Sequence, residues 1–310
     1  MTTTTLALAC SLALVPHTLG QTEDAPSLTD DPGWSTTLSL DASHTLAFDA
    51  DIDGSDASVT TNATRFGVGL EFARPDNRLA FGIGFRGEVA DYDFDNADQL
   101  VVGLDSDPFD TFLRQRIELT GRYAINDAWG LFGAAGIEAA YESGADFGSA
   151  IQGGGTFLAT WTNQARDLTL GFGVGGFTRL DDDPIVFPLV SIRWQIDERL
   201  RLENERLGLA LTYDATDELA FALLGRFDRA EYRLDEHNAA VSEGVLTDNR
   251  IALAGRVTWR PDAIDGLSVS LTGGALIYRE IQMLDDDAEE IFEDEADPSA
   301  FIAVRVRYEF

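Results

Sequence analysis

Residues 301–310 read Phe-Ile-Ala-Val-Arg-Val-Arg-Tyr-Glu-Phe. From Ile302 to Phe310 every second residue is apolar, and the residues between them are small or charged. A repeat of two places the two kinds of side chain on opposite faces of a β-strand. This stretch therefore predicts a two-faced strand that ends in an aromatic side chain.

The same alternation recurs through most of the chain after Trp34, for example over residues 207–213 and 251–259. Along residues 66–70 and 79–85 the second row is glycine or alanine, where a water-facing sheet would carry Thr, Lys or Glu. A closed membrane barrel requires large apolar residues outside and small or charged residues inside. The sequence therefore predicts an all-β fold, a single antiparallel transmembrane β-barrel. A soluble, secreted β-sandwich is the alternative architecture.

Charged side chains occupy the inward row of several predicted strands, and buried charges need ionic partners or water. The lumen-lining candidates are Arg114, Arg116, Glu118, Arg122, Arg193, Arg256, Arg305 and Arg307, and the same row includes Arg65, Arg86 and Arg226. These arginines and the inward glutamates either form an ion network that fills the interior or line a water-filled channel. The sequence leaves both open.

Connections between the predicted strands alternate in length. Short turns, such as Asp197-Glu198, alternate with long acidic loops at about 49–61, 93–108, 142–148, 235–248 and 282–298. This is the arrangement of outer-membrane barrels, with short periplasmic turns and long outer loops. A hairpin near Glu203-Asn204-Glu205 gives 14 strands, and 12 is the alternative count.

Tryptophan supports this assignment of sides. All five tryptophans fall at the predicted short-turn rim, and they form a candidate aromatic girdle: Trp34, Trp129, Trp161, Trp194 and Trp259. Aromatic residues gather at the membrane interface of such barrels.

The first 20 residues carry no charged side chain and include an apolar stretch, which predicts a cleaved signal peptide over 1–20. A membrane anchor and lipidation at Cys10 are the alternatives. Residues 21–33 form a short acidic segment, and 34–310 form the barrel domain. Cys10 is the single cysteine, so the mature chain is predicted to contain no disulfide or thiolate site.

The composition limits the classes of partner. The chain of 310 residues has a formal net charge of -32, which argues against nucleic-acid binding. Hydrophobic residues make up 45% of it, too many for an acidic disordered chain.

The final strand resembles the C-terminal recognition strand of bacterial outer-membrane β-barrels. The resemblance implies that Val306, Tyr308 and Phe310 form an assembly signal read by the barrel-assembly machinery. Outer-membrane lipid is the other expected partner, and the cell outer membrane the expected location. Residues 186–235 are similar to an uncharacterised family of outer-membrane barrels known only as a domain of unknown function, a likeness that implies location and fold but no activity.

Motifs for chemistry are few. Asp49, Asp51 and Asp53 have the spacing of the first half of a calcium loop but lack the final bidentate acid, so they predict at most a weak Ca²⁺ site. No other cofactor is expected. His237, in an acidic loop, is the sole candidate for a catalytic base, and we predict that the protein is not an enzyme.

The leading functional hypothesis is a porin-like passive channel for small solutes in which inward arginines set the selectivity. The alternative is a closed structural or surface-interaction barrel without transport activity. The oligomeric state stays open.

Overall fold

The computed structural model describes residues 33–74, 78–100, 108–180 and 183–310. The predicted signal peptide at 1–20 and all but the last residue of the acidic segment at 21–33 lie outside these ranges, as does most of the turn at 74–77. Among the described residues, no helix has the length and apolar character that crossing a membrane would require.

The described chain is almost entirely β-structure, as the alternation predicts. Its strands are β1 (Ser35–Asp51), β2 (Ser58–Ala73), β3 (Leu79–Asp95), β4 (Phe112–Ala124), β5 (Trp129–Glu142), β6 (Ile151–Thr162), β7 (Leu168–Phe177), β8 (Ile185–Gln195), β9 (Leu200–Glu205), β10 (Gly208–Asp214), β11 (Leu219–Arg233), β12 (Val245–Trp259), β13 (Leu267–Leu284), β14 (Glu290–Ala296) and β15 (Ser299–Glu309). Two short 3₁₀ turns, Ala97–Gln99 and Phe147–Ala150, lie in connections.

The sheet closes into a barrel because β15 pairs with β13 on one edge and with β1 on the other. Strands β14 and β15 both pair with β13, β14 along its second half and β15 along its first. Only Asp297 and Pro298 separate them, so the two together count as one strand of the barrel. The result is a closed 14-stranded antiparallel barrel, which confirms the predicted count and excludes 12.

The hairpin on which that count depends exists, but three residues later than predicted. Glu203-Asn204-Glu205 forms the end of β9, and the chain turns at Arg206 and Leu207. Arg206 adopts a left-handed backbone with φ 53°. The next residue, Gly208, has to be glycine, because a Cβ there would lie 2.0 Å from the carbonyl oxygen of Gly225 on β11. Close backbone approach, rather than the acidic residues, fixes the turn.

Apart from the turn between β9 and β10, which faces the other way partway along the wall, the short turns that the structure describes lie at one end of the barrel. We call this the short-turn end, and the opposite end, where the longer connections lie, the loop end. Strands extend further toward the loop end than the acidic composition indicates. The predicted loop at 49–61 shrinks to residues 52–57, and β14 lies inside the predicted loop at 282–298. These acidic segments form strands because their exposed carboxylates alternate with buried side chains such as Phe292, so one face of each strand packs inward while the backbone pairs with its neighbour.

Large apolar side chains point away from the barrel axis. Leu119 is 57% exposed, Ile137 58% and Val186 77%, and each alternates with an inward residue. The sandwich architecture is therefore wrong, since a sandwich would bury these side chains between two sheets.

The main apolar core lies inside the barrel at the loop end. Phe112 is fully buried there, with ring centroids 4.6 Å from Tyr232 and 5.2 Å from Tyr92. An extra residue in β13, Ile277, shifts the inward row from even to odd numbers, so that Ile281 and its neighbours also face this core. Packed side chains close the barrel at this end.

Candidate functional site

An ion network fills the centre of the barrel, and β4 contributes three of its predicted members. The guanidinium of Arg114 lies 2.8 Å from the Glu138 carboxylate on β5. Arg116 pairs with Glu118 on its own strand and lies 4.0 Å from Glu138. Because each cation has a carboxylate partner, the positive charge of these two arginines is largely balanced.

A second group of ion pairs spans the interior. Arg65 on β2 pairs with Glu88 on β3, and its guanidinium lies 3.9 Å from Asp228 on β11. Asp228 also lies 3.9 Å from Arg226. The Tyr232 hydroxyl on β11 donates to Glu88 Oε1 at 3.1 Å. Since β11 is not a sheet neighbour of β2 or β3, these contacts cross the lumen and narrow it.

A third group lies nearer the short-turn end. Arg256 lies 2.8 Å from Glu205, and Arg305 lies 3.5 Å from Asp41. Arg307 pairs with Glu309 on β15.

The other two lumen candidates stand apart from these pairs. Arg193 is exposed near the end of β8. Arg122 buries its Nη2, and that atom has no hydrogen-bond partner in the described part of the chain. Of the two interior arrangements left open by the sequence, the geometry favours an ion network.

Two of the cavities within the network have volumes of about 170 Å³, the larger cavity, and about 90 Å³, the smaller cavity. Asp41, Arg65 and Arg206 line both, so they form the partition between them.

Two arginines that line the larger cavity lack an acidic partner. Within the described ranges, no Asp or Glu oxygen lies within 4.0 Å of the guanidinium nitrogens of Arg86 or Arg206. The charged groups that act most strongly on Arg206 are the cations of Arg65, Arg86 and Arg226, with Asp228 opposing them more weakly. Strand alternation predicts that Arg86 faces inward. It does not predict this for Arg206, because the predicted turn ended before that residue.

The wall of the barrel is incomplete between β8 and β11. Strand β8 begins at Ile185 but pairs with β9 only over its last three residues. Strand β11 continues to Arg233, yet its pairing with β10 ends at Arg226. The short hairpin β9–β10 therefore fills the space between β8 and β11 only near the short-turn end. We call the opening above it the wall gap.

The larger cavity reaches the wall gap. Leu207 at the hairpin turn and Phe227 on β11 border the gap, and both line the cavity together with Phe177. At the foot of the gap, the Ile192 amide donates to Asn204 Oδ1 at 2.6 Å, which satisfies one backbone group where β9 leaves β8.

Glu231 bridges the part of the wall gap nearest the loop end. Its carboxylate accepts hydrogen bonds from Gln152 at 2.7 Å and Arg179 at 3.1 Å, and from the Leu180 amide at 3.3 Å. It also pairs with Arg229 on its own strand. These contacts tie β11 to β6 and to the segment after β7. The wall gap is thus open near its foot and cross-linked near the loop end.

A buried charge cluster lies beside the apolar core at the loop end. The Asp248 carboxylate, with no exposed side-chain area, lies 2.8 Å from the Arg279 guanidinium and pairs with Arg250. Arg250 also donates to the Tyr92 hydroxyl at 2.6 Å. The sequence missed this cluster because the extra residue Ile277 turns Arg279 inward.

The acidic strand β14 pairs with β13 next to this cluster and forms part of the barrel wall there. Partial burial, followed by the charges of Glu290 and Glu280, raises the pKa of Glu293. Glu293 accepts a hydrogen bond from Gln282 at 2.9 Å.

The predicted girdle residues all lie at the short-turn end. Trp34, Trp129, Trp194 and Trp259 are exposed, and Trp161 is half-buried opposite Trp129 in the ladder.

The three residues of the predicted assembly signal lie on the strand that closes the barrel. Val306 pairs with Ala42 of β1, and the Phe310 amide donates to the Leu38 carbonyl at 2.9 Å. The rings of Tyr308 and Phe310 lie 4.3 Å apart.

The calcium expectation is not met by the geometry. Asp49 and Asp51 lie in β1 instead of a loop, and Asp53 follows it. Among the described residues, no group of three or more His, Cys, Asp or Glu side chains is placed to hold a metal ion.

His237 lies on the surface of the connection between β11 and β12. Its Nδ1 lies 3.2 Å from Asp235 Oδ1, and the side chain is largely exposed.

The family model described as "Domain of unknown function (DUF6268)" matches residues 111–309. This range includes the segment 186–235 from which the resemblance was drawn, so that prediction is confirmed. No curated protein matches the chain.

Several solved structures match the chain in shape at low sequence identity. A FadL homologue of Pseudomonas aeruginosa has 12% identity and a TM-score of 0.47, with 89% of this chain and 90% of that chain covered. The COG4313 outer membrane channel of Pseudomonas putida F1 has 12% identity and a TM-score of 0.42, with 93% and 100% covered. The Pseudomonas putida toluene transporter TodX has 10% identity and a TM-score of 0.41, with 88% and 89% covered. At these values the likeness describes shape and carries no inference about a solute.

Proposed function

Because the chain belongs to the DUF6268 family, a domain of unknown function, we propose its function from its geometry: an outer-membrane channel through which small solutes pass between the wall gap and the short-turn end. The observation that carries the proposal is the wall gap itself, together with the cavity of about 170 Å³ that reaches it. The proposal differs from the porin-like hypothesis in the route of the solute, which enters or leaves through the wall gap instead of the loop end.

Membrane placement is supported by the outer surface. The outward apolar row of β13 runs from Leu267 to Ile277, ten residues along the strand. At about 3.3 Å per residue and a tilt of about 40°, this row spans about 25 Å, the height of the apolar band on outer-membrane barrels. The exposed tryptophans gather at one end of this band. Such a surface is favourable only against lipid.

The route follows from what is closed. Buried aromatic rings pack across the barrel at the loop end, so a solute cannot enter there without displacing the apolar core. In lipid, an unpaired strand edge is tolerated only where it is covered by protein or lines a cavity. The edges of β8 and β11 fit the second case, because cavity-lining residues lie beside them.

A thiol-blocking experiment tests the route. In a Cys10→Ser background, Leu207→Cys introduces a single thiol at the foot of the wall gap, and Asp287→Cys introduces one in an exposed loop at the loop end. Each purified variant is reconstituted into liposomes, and solute flux is measured before and after reaction with a bulky thiol reagent.

We expect the reagent to reduce flux through the Leu207→Cys channel and to leave the Asp287→Cys channel unchanged. Block at residue 287 with none at 207 would show that solutes pass through the loop end. No flux in any variant, together with silent planar-bilayer recordings, would favour the closed structural barrel, which the packed loop end also fits.

A further inference from the structure

Arg86 and Arg206 are the two arginines on the wall of the larger cavity that form no ion pair within 4.0 Å among the described residues, although carboxylates such as Glu118 and Asp228 line the same cavity. Arg114 and Arg116, in the same wall, have carboxylate partners within 4.0 Å. Arg86 and Arg206 have none among the described residues. Both side chains are half-buried, and partial removal of a guanidinium from water without an ion pair is unfavourable, so an anion in the cavity would stabilise this arrangement.

The chemistry of the wall indicates the kind of anion. A guanidinium presents a planar fork of donors that matches the two oxygens of a carboxylate. Arg86 and Arg206 line the same cavity and repel each other, so one oxyanion between them would relieve that repulsion.

The part of the cavity that reaches the wall gap is apolar. Phe177, Leu207 and Phe227 line it, in contrast to the charged residues deeper inside. A ligand that satisfies both parts has an oxyanion at one end and an apolar body at the other. A cavity of about 170 Å³ limits that body to a small ring or a short chain.

We propose that the larger cavity is a binding site for small carboxylates with an apolar body, in which Arg86 and Arg206 hold the carboxylate while Phe177 and Phe227 contact the body. The inference deepens the proposed channel by naming its solute class, and it rests on that function for the ligand's access to the cavity. Binding and passage are nevertheless separate measurements.

The test uses benzoate as the probe and measures its equilibrium binding to the purified, refolded barrel by isothermal titration in a chloride-free buffer. Arg206→Gln and Arg86→Gln each remove one cation of the site. Arg166→Gln is the matched control, because Arg166 is an exposed arginine at the short-turn end. Benzyl alcohol serves as the uncharged analogue and inorganic phosphate as the oxyanion without an apolar body.

We expect saturable benzoate binding that weakens at least tenfold in Arg206→Gln and Arg86→Gln and is unchanged in Arg166→Gln. Benzyl alcohol and phosphate should both bind at least tenfold more weakly than benzoate. Guanidinium-induced unfolding checks that the variants are folded. Because each substitution removes a half-buried cation that has no ion pair, both should unfold at the same denaturant concentration as the parent or a higher one.

Equal benzoate affinity in the parent and in both variants would overturn the proposal. Benzyl alcohol binding as tightly as benzoate would remove the role of the arginines, and phosphate binding as tightly would remove that of the apolar part. Liposome flux of benzoate separates this inference from the proposed function. Saturable binding without flux would refute the proposed channel and support the carboxylate site. Flux without saturable binding would support the channel and refute the site.

Discussion

Replacing Asp248 by Asn tests whether the buried charge cluster at the loop end stabilises the barrel. The Asp248 carboxylate is fully buried and accepts four charge-assisted hydrogen bonds. Two come from Arg279, at 2.8 and 3.3 Å, and two from Arg250, one of them at 2.8 Å. Asparagine keeps the shape of the side chain but removes its charge and one of its two acceptor oxygens.

The magnitude follows from what is lost. The amide nitrogen of Asn would face guanidinium donors, so about two of the four hydrogen bonds disappear, each worth roughly 1.5–3 kcal/mol. Two buried arginines would also lose their counter-charge, and breaking a buried ion pair in this way costs about 3–5 kcal/mol. We therefore expect Asp248→Asn to lower the free energy of unfolding by about 3–5 kcal/mol.

The assay is reversible unfolding by guanidinium chloride in lipid vesicles, followed by tryptophan fluorescence. Asp127→Asn is the matched control. Asp127 lies 3.5 Å from Arg166, but the two side chains are 94% and 69% exposed. Water screens such a pair, so its loss should change stability by about 0.5 kcal/mol or less. Equal unfolding midpoints for the two variants would refute the argument that burial of the Asp248 cluster carries stability.

Three further substitutions test the apolar core, the β9–β10 hairpin and strand β14. Phe112→Ala should lower the free energy of unfolding by about 3–5 kcal/mol, whereas Phe147→Ala, at an exposed site, should cost about 1 kcal/mol or less; a thermal melt compares them. Gly208→Ala should lower the unfolding midpoint because its Cβ meets a backbone carbonyl at 2.0 Å, while Gly121→Ala, with open space around it, should not; similar midpoints would show that the hairpin tolerates the shift. Partial burial and neighbouring carboxylates raise the pKa of Glu293, so the folded state favours the protonated form, and this contribution to stability fades as pH rises through that pKa. Lowering the pH from 7 toward 5 should therefore increase the free energy of unfolding less in Glu293→Gln than in the parent. An equal increase in both proteins would contradict this.

Strand alternation predicted which side chains face inward on most of the wall. Arg114, Arg116 and Glu118 line the larger cavity, while Leu119 and Tyr123 face outward, because successive residues of a strand point to opposite faces. This rule is local, so it needs no knowledge of the partner strand. It fails where a strand carries an extra residue, as β13 does at Ile277.

The charge balance of the interior required the closed barrel. Arg65 and Asp228 are far apart in sequence but meet across the lumen. Their meeting depends on how many strands close the sheet and on the register of each pair, which period-two patterning does not encode. For the same reason the sequence did not show that Arg114 and Arg116 are paired while Arg86 and Arg206 are not.

The sequence left the strand count open between 14 and 12, but by itself it determined the β-class, the two unequal ends and the outward apolar surface. These properties arise from the backbone period and from the residues that turns require, both of which act over a few neighbouring positions. Only the tertiary structure decided that aromatic rings close the loop end, that the hairpin at Arg206 stops partway along the wall, and that two arginines line a cavity without an ion pair of their own. Those features depend on contacts between strands distant along the chain, and such contacts exist only once the sheet has closed on itself.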